Sequence, residues 1–224
     1  MTADPPLPHF RFLERGRGTA DIEKSPSFFF EKAIRKAYGT RYIAGVDEAG
    51  RGPLAGPVVA AAVILPLDGN FPGIDDSKRL TAIKRERLFG EIHAHALGVG
   101  VGIVSHEEID ALNIRRATLL AMKKAVQALP VTPDFCLVDG RDEIPLAVPQ
   151  SPLVKGDQKS LSVAAASIIA KVTRDRIMLA YHEQFPDYGF DRNMGYGTRQ
   201  HRDALKRVGP SPIHRKSFRG VLQP

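Results

Sequence analysis

Four acidic residues stand where carboxylates can act together. Asp47 and Glu48 follow the apolar run Tyr42-Ile43-Ala44-Gly45-Val46, Asp139 follows Phe135-Cys136-Leu137-Val138, and Asp157 follows Lys155-Gly156. Neighbouring side chains on a strand point to opposite faces, so Asp47 and Glu48 can serve one centre only where a strand ends. Ala49-Gly50, small and turn-prone, lets the chain bend at that point. Carboxylates gathered in one pocket repel, hold protons more tightly and are relieved by a divalent cation. With oxygen donors alone the expected ion is Mg²⁺ or Mn²⁺, and two such ions about 4 Å apart can activate water and stabilise the leaving oxygen in phosphodiester cleavage. Each residue also has a plainer use: Asp139-Gly140 fits a turn, Asp47-Glu48 a solvated strand end, and Asp157 a place where its charge meets a helix dipole. Spacing alone leaves both uses open.

For the carboxylates to meet, several strands must end side by side, the usual way an open sheet builds a site. Residues 42–48 and 57–65 read as neighbouring buried strands, separated by Gly50-Arg51-Gly52-Pro53. A helix is expected over 81–97 and a third strand over 98–104, although the glycines of GVGVGIV weaken the latter. Ser105 and Glu108 fit a capping box, and an amphipathic helix runs from Asn113 to Leu129, ahead of Pro130. Asp134–Val138 is a fourth strand, Leu153-Val154 marks a fifth, and a long helix extends from about Ser160 to Phe185, followed by loop and one basic helix. Strands come first in succession and then alternate with helices, which predicts an α/β fold with a five-stranded mixed sheet flanked by helices and a helical C-terminal part.

Composition narrows the classes. The 224 residues suit one compact domain with a tail, and residues 1–40 read as that tail: basic, proline-containing, without sustained period despite Phe28-Phe29-Phe30. The single cysteine, Cys136, precludes an internal disulfide and a cysteine-built zinc site. A net charge of +7 suits a polyanionic partner. No apolar run approaches the roughly 20 residues needed to cross a bilayer, and the first residues lack a secretory pattern, so a cytoplasmic protein is expected.

The stretch YIAGVDEAGRGPLAGPVVAAAVIL, residues 42–65, closely resembles the opening motif of the type 2 ribonucleases H. The resemblance continues in order through DDSKRL (75–80), LNIRRATLLAM (112–122), LVDG (137–140), KGDQKSLSVAAASIIAKVTRD (155–175), YGF (188–190) and GYGT (195–198). Several motifs in sequence are far more specific than any one of them. The resemblance implies a ribonuclease H-like fold in a catalytic domain spanning 41–224, and an endonuclease that cuts the RNA strand of RNA–DNA hybrids. It also implies cleavage 5′ of a single ribonucleotide embedded in duplex DNA, with 5′-phosphate and 3′-hydroxyl products and a role in removing misincorporated ribonucleotides. On it, Asp47, Glu48 and Asp139 hold the metal, Mn²⁺ or Mg²⁺, and Asp157 is the fourth acidic residue, ligating or positioning a second ion. Gly50-Arg51-Gly52 matches the family element that lies against the ribonucleotide, in keeping with the close backbone approach that glycine permits and the 2′-OH that marks RNA. Tyr196 matches the tyrosine that packs on the sugar at the RNA-to-DNA step. Ser167 and Lys171, one turn apart on one helix face, match residues near the substrate phosphates.

The chain departs from the pattern at Asn193-Met194, where the family often has a His-Lys pair before Gly-Tyr. Its N-terminal segment is too short for the extra substrate-binding domain of the type 3 enzymes. Arg199, Arg202, Lys206, Arg207, Arg215, Lys216 and Arg219 are candidates for lining a duplex. A triphosphatase is disfavoured, because no Gly-Lys-Ser/Thr follows the glycine loop and Pro53 removes a needed N–H. His93 and His95 sit about 200° apart round their helix, cannot easily share a metal, and read as ordinary helix residues. Two rivals remain: an inactive nucleic-acid binder on the same fold, which loss of carboxylates would betray, and a DNA nuclease without discrimination for the 2′-OH. A monomer is the default expectation.

Overall fold

A computed structural model describes residues 25–222. Its centre is a five-stranded sheet in the order β3-β2-β1-β4-β5. Strands β1 (Ile43–Ala49), β2 (Val58–Ile64) and β3 (Gly98–Val104) form an antiparallel meander, and β4 (Phe135–Asp139) and β5 (Gln150–Leu153) add parallel to the other side of β1. The mixed sheet is therefore as the sequence predicts. Every residue of β2 is buried, as a continuous VVAAAVI run covered on both faces requires.

One face of the sheet carries α3 (His106–Leu112) and α4 (Ile114–Gln127), and the other carries α2 (Ala82–His95) and the long α5 (Leu161–Gln184). The capping box at α3 is present: Ser105 accepts from Glu108 N–H, and Glu108 returns an acceptor to Ser105 N–H. Helices approach closely because the sheet is lined with small residues. A Cβ at Gly102 would fall on Ala121 O, and one at Gly100 on Ala125 O, so the glycines of β3 are where α4 lies down. The C-terminal part, α6 (Phe190–Asn193) and α7 (Arg199–Val208), packs a separate apolar cluster of Leu54, Met178, Phe190, Leu205 and Ile213 against the end of α5.

The expected tail is corrected in its second half. Residues 1–24 lie outside the described residues, but Phe29–Tyr38 is a helix, α1, closed by Gly39 at φ +68°. Ile34 is fully buried with Phe135 and Leu137, and Tyr38 stacks on Phe135 with ring centroids 6.0 Å apart. The sequence signal was weak because a second inward position is an acid. Glu31 is buried, and accepts from Ser160 Oγ at 2.6 Å and Ser162 N–H at 3.0 Å at the start of α5.

Candidate active site

Asp47 and Glu48 end β1, and Asp139 ends the adjacent parallel strand β4, one residue beyond the pair Val46–Val138. One carboxylate oxygen from each of the three lies within 4.8 Å of the others. The backbone arranges this without strain on the acids: Glu48 N–H donates to Asp47 Oδ1 at 2.7 Å, and Gly156 N–H to Asp139 Oδ1 at 2.7 Å. Burial first, then the charges of Glu48 and Asp139, push the Asp47 carboxyl well above the ordinary carboxylate range. Burial raises Glu48 too, against the pull of Arg51, whose guanidinium reaches Glu48 Oε1 at 3.3 Å. One guanidinium does not balance three carboxylates. A compact, all-oxygen set, with Asp47 and Glu48 raised in proton affinity, suits a hard divalent cation, and zinc-type nitrogen or sulfur donors are absent from it.

Asp157 stands apart from that triplet but within its field. It is buried in the turn Gly156–Gln158, and burial followed by the charges of Asp139 and Asp76 raises its carboxyl. Lys78 Nζ lies 3.3 Å from Asp157 Oδ2 and 3.9 Å from Asp76 Oδ1. Burial opposes charge on that lysine, yet Asp157, Asp76 and Asp47 outweigh it and leave Lys78 raised. The Asp76-Ser77-Lys78 turn thus forms a second wall of the site. Its placement depends on a long-range contact no local signal reveals: Ser167 Oγ on α5 donates to Ser77 Oγ at 2.7 Å, and both are buried.

The third wall is the loop from Gly50 to Pro57. Gly50 adopts φ +97°, and a Cβ there would strike the Arg174 side chain. Arg174 and Arg215, both buried, hold the loop by its carbonyls. Arg215 donates to Gly50, Arg51, Pro53, Gly56 and Pro57, and Arg174 to Ala55, Pro57 and Met194. Oriented carbonyl dipoles take the place of carboxylate partners, although burial still pushes Arg215 down to about 9 and Arg174 to about 10. Opposite this loop, Tyr196 is 46% exposed, and a Cβ on Gly52 would be 3.5 Å from its Cε1. The exposed backbone of Gly52 and the Tyr196 ring therefore line one surface.

The structure brings together Asp47, Glu48 and Asp139, with Asp157 nearby, and sets Gly50-Arg51-Gly52 beside Tyr196. It does not leave Ser167 open: its hydroxyl is committed to Ser77. Lys171 is half-buried and paired with Asp175 at 2.7 Å. Asn193 serves the turn before Tyr196, its Nδ2 donating to Tyr188 O and its Oδ1 accepting from Gly195 N–H. Among the basic residues offered as a duplex lining, Arg215 is corrected: it is fully buried, whereas Arg199, Arg202, Lys206, Arg207, Lys216 and Arg219 are exposed. His93 and His95 each bond a carbonyl of their own helix, Phe89 O and Glu91 O. Sequence reasoning missed the structural use of Asp76, Lys78 and Arg174, whose charge alone does not distinguish a site from a solvated face.

The Ribonuclease HII family profile matches residues 44–221. A ribonuclease HII of Geobacter metallireducens is 56% identical over 203 residues, 91% of this chain and 95% of that one. Another, of Geobacillus kaustophilus, is 59% identical over 187 residues, 84% of this chain and 72% of that one. Among solved structures, the ribonuclease H2 of Pyrococcus horikoshii has a TM-score of 0.70 at 29% identity, covering 81% of this chain and 95% of that one. The chain belongs to the ribonuclease HII family, and with it to the metal-dependent ribonuclease H hydrolases.

Proposed function

We propose that this protein is an endonuclease that hydrolyses the RNA strand of RNA–DNA hybrids and cuts 5′ of a single ribonucleotide embedded in duplex DNA, leaving a 5′-phosphate and a 3′-hydroxyl. The observation that carries it is the junction of two features: an oxygen cluster from Asp47, Glu48 and Asp139 within 4.8 Å, and the Gly52 backbone facing the Tyr196 ring. Asp47, Glu48 and Asp139 hold Mg²⁺ or Mn²⁺, and Asp157 holds or positions a second ion. Such an ion supplies charge neutralisation and Lewis acidity at the scissile phosphodiester. Asp47 and Glu48 would hold the ion from the end of β1, and Asp139, fixed by Gly156 N–H, would do so from β4. The Gly50-Arg51-Gly52 backbone approaches the ribose 2′-OH, and the Tyr196 ring packs on the neighbouring deoxyribose. Ser167 acts through Ser77, and Lys171 through Asp175, in shaping the phosphate-binding side.

On this reading the catalytic unit spans 41–224 with α1 docked against it, and works as a cytoplasmic monomer in removing misincorporated ribonucleotides. No described helix is long and apolar enough to cross a membrane. The test is a set of matched labelled duplexes: one ribonucleotide in DNA, the same site with a 2′-O-methyl group, an RNA–DNA hybrid and all-DNA. Cutting 5′ of the ribonucleotide, with ends that ligase can use after DNA synthesis, and none of the all-DNA or methylated site, is expected. Equal cutting of all-DNA would make it a DNA nuclease; tight binding without cutting would make it an inactive binder.

A further inference from the structure

Two imidazoles face each other inside the C-terminal part, His201 on α7 and His214 beyond it. Their Nε2 atoms are 2.9 Å apart and neither ring reaches solvent. The outer nitrogens fix where the protons lie. His201 Nδ1 stands 2.9 Å from Tyr196 O, and a carbonyl only accepts, so that nitrogen carries a proton. His214 Nδ1 stands 2.9 Å from Ser211 N, and an amide only donates, so that nitrogen carries none; the Ser211 hydroxyl lies 2.8 Å from it as well. A neutral imidazole has one N–H, so His214 donates at Nε2 and His201 accepts there. Reasoning from either end gives the central bond the same direction, and the result is a one-way chain from Ser211 N–H through His214 and His201 to the Tyr196 carbonyl.

The surroundings keep both rings neutral. Tyr188 lies 4.8 Å from His214 between ring centroids, and Phe190 lies 5.4 Å from His201. Burial, and then the facing His201, push His214 down to about 4, and burial lowers His201 as well. The residue after His214 is Arg215, which grips Gly50 O and Arg51 O. One short segment, 211–215, thus holds both walls of the surface between Gly52 and Tyr196.

We propose that His201 and His214 are positioning residues: by fixing the Tyr196 backbone they set the enzyme's preference for a ribonucleotide next to DNA. The inference rests on the role given to Tyr196 above. It has two tests. In the wild-type full chain with ¹⁵N-labelled histidine, long-range ¹H–¹⁵N correlation at neutral pH should find the proton of His201 on Nδ1 and that of His214 on Nε2. Any other pair of tautomers, or a charged ring, overturns the proposal, whether or not the variants fold. The second test is the ratio of kcat/KM on a single-ribonucleotide duplex to that on an RNA–DNA hybrid. His214→Leu, which removes the donor, should lower the ratio about tenfold, the scale of one lost hydrogen bond. His214→Gln, which keeps an N–H at the ε position, should restore it to within about threefold of wild type. A lowered ratio in Tyr196→Ala with an unchanged one in folded His214→Leu overturns the proposal alone; an unchanged ratio in Tyr196→Ala overturns the Tyr196 role and the proposal together.

Discussion

Removing the Asp47 charge should make the metal-free protein more stable, because the site is built against itself until a cation arrives. The oxygens of Asp47, Glu48 and Asp139 lie within 4.8 Å of one another. At an effective dielectric of about 20, two unit charges at that distance repel by about 3.5 kcal/mol. Asp47 faces two such neighbours, and burial together with their charges raises its proton affinity, which relieves part of the repulsion. A realised gain of about 1–2 kcal/mol for Asp47→Asn is therefore expected in chelator. Asparagine keeps the Oδ1 that accepts from Glu48 N–H, so no hydrogen bond is lost. For a chain of this size 1 kcal/mol moves Tm by about 2–4 °C, which puts the rise at about 2–8 °C. The sign with pH follows from a folded-state pKa above the ordinary 3.8. Wild-type stability is fully present below that value and is lost as pH rises through the folded pKa, so the advantage of Asp47→Asn should be present at pH 7.5 and shrink towards pH 4. Thermal denaturation in EDTA across that range measures it. A Tm for Asp47→Asn equal to or below wild type at pH 7.5, or an advantage that grows on acidification, would refute the reasoning. With Mg²⁺ or Mn²⁺ added, wild type should gain more than Asp47→Asn, since binding to the folded state alone raises its stability.

Gly50→Ala combines a φ of +97° with a collision on Arg174, and should cost about 2–4 kcal/mol in urea unfolding; a loss under about 1 kcal/mol would show that the loop is free to move. Gly102→Ala should cost a comparable amount, since its Cβ would meet backbone of α4 that cannot step aside, and differential scanning calorimetry would reveal a tolerant site. Burial raises the Glu31 carboxyl above its ordinary 4.5, so wild type should lose stability as pH rises from that value through the folded pKa, while Glu31→Gln, which keeps the acceptor for Ser160 and Ser162, should not. Parallel pH–Tm curves for the two proteins would contradict this.

What could be read from the sequence was whatever local chemistry dictates. Runs such as VVAAAVI declare a strand buried on both faces, and Ser105 with Glu108 declares a helix start, whereas an acid closing an apolar run marks a strand end without saying whether it faces a crevice or solvent. The glycines of β3 pointed against a strand only because their reason, the backbone of α4, lies far ahead in the chain, at Ala121 for Gly102 and at Ala125 for Gly100. Helix α1 was hidden for a related cause: one of its two buried positions is Glu31, acceptable inside only because α5 begins beside it. Arg215 was misplaced on the surface because a charge count cannot see the five carbonyls it meets. The His201–His214 pair likewise exists only once α7 and residue 214 are folded together.

The most direct test is metal-dependent cleavage of a single-ribonucleotide duplex by wild type and Asp139→Asn, with duplex binding measured in parallel. Asparagine keeps the volume and the acceptor for Gly156 N–H but not the charge. A fall in turnover of at least about a hundredfold, with binding within about threefold of wild type, is the predicted result. Turnover close to wild type, or activity that persists in excess chelator, would contradict the assignment of the carboxylate cluster as the catalytic metal centre.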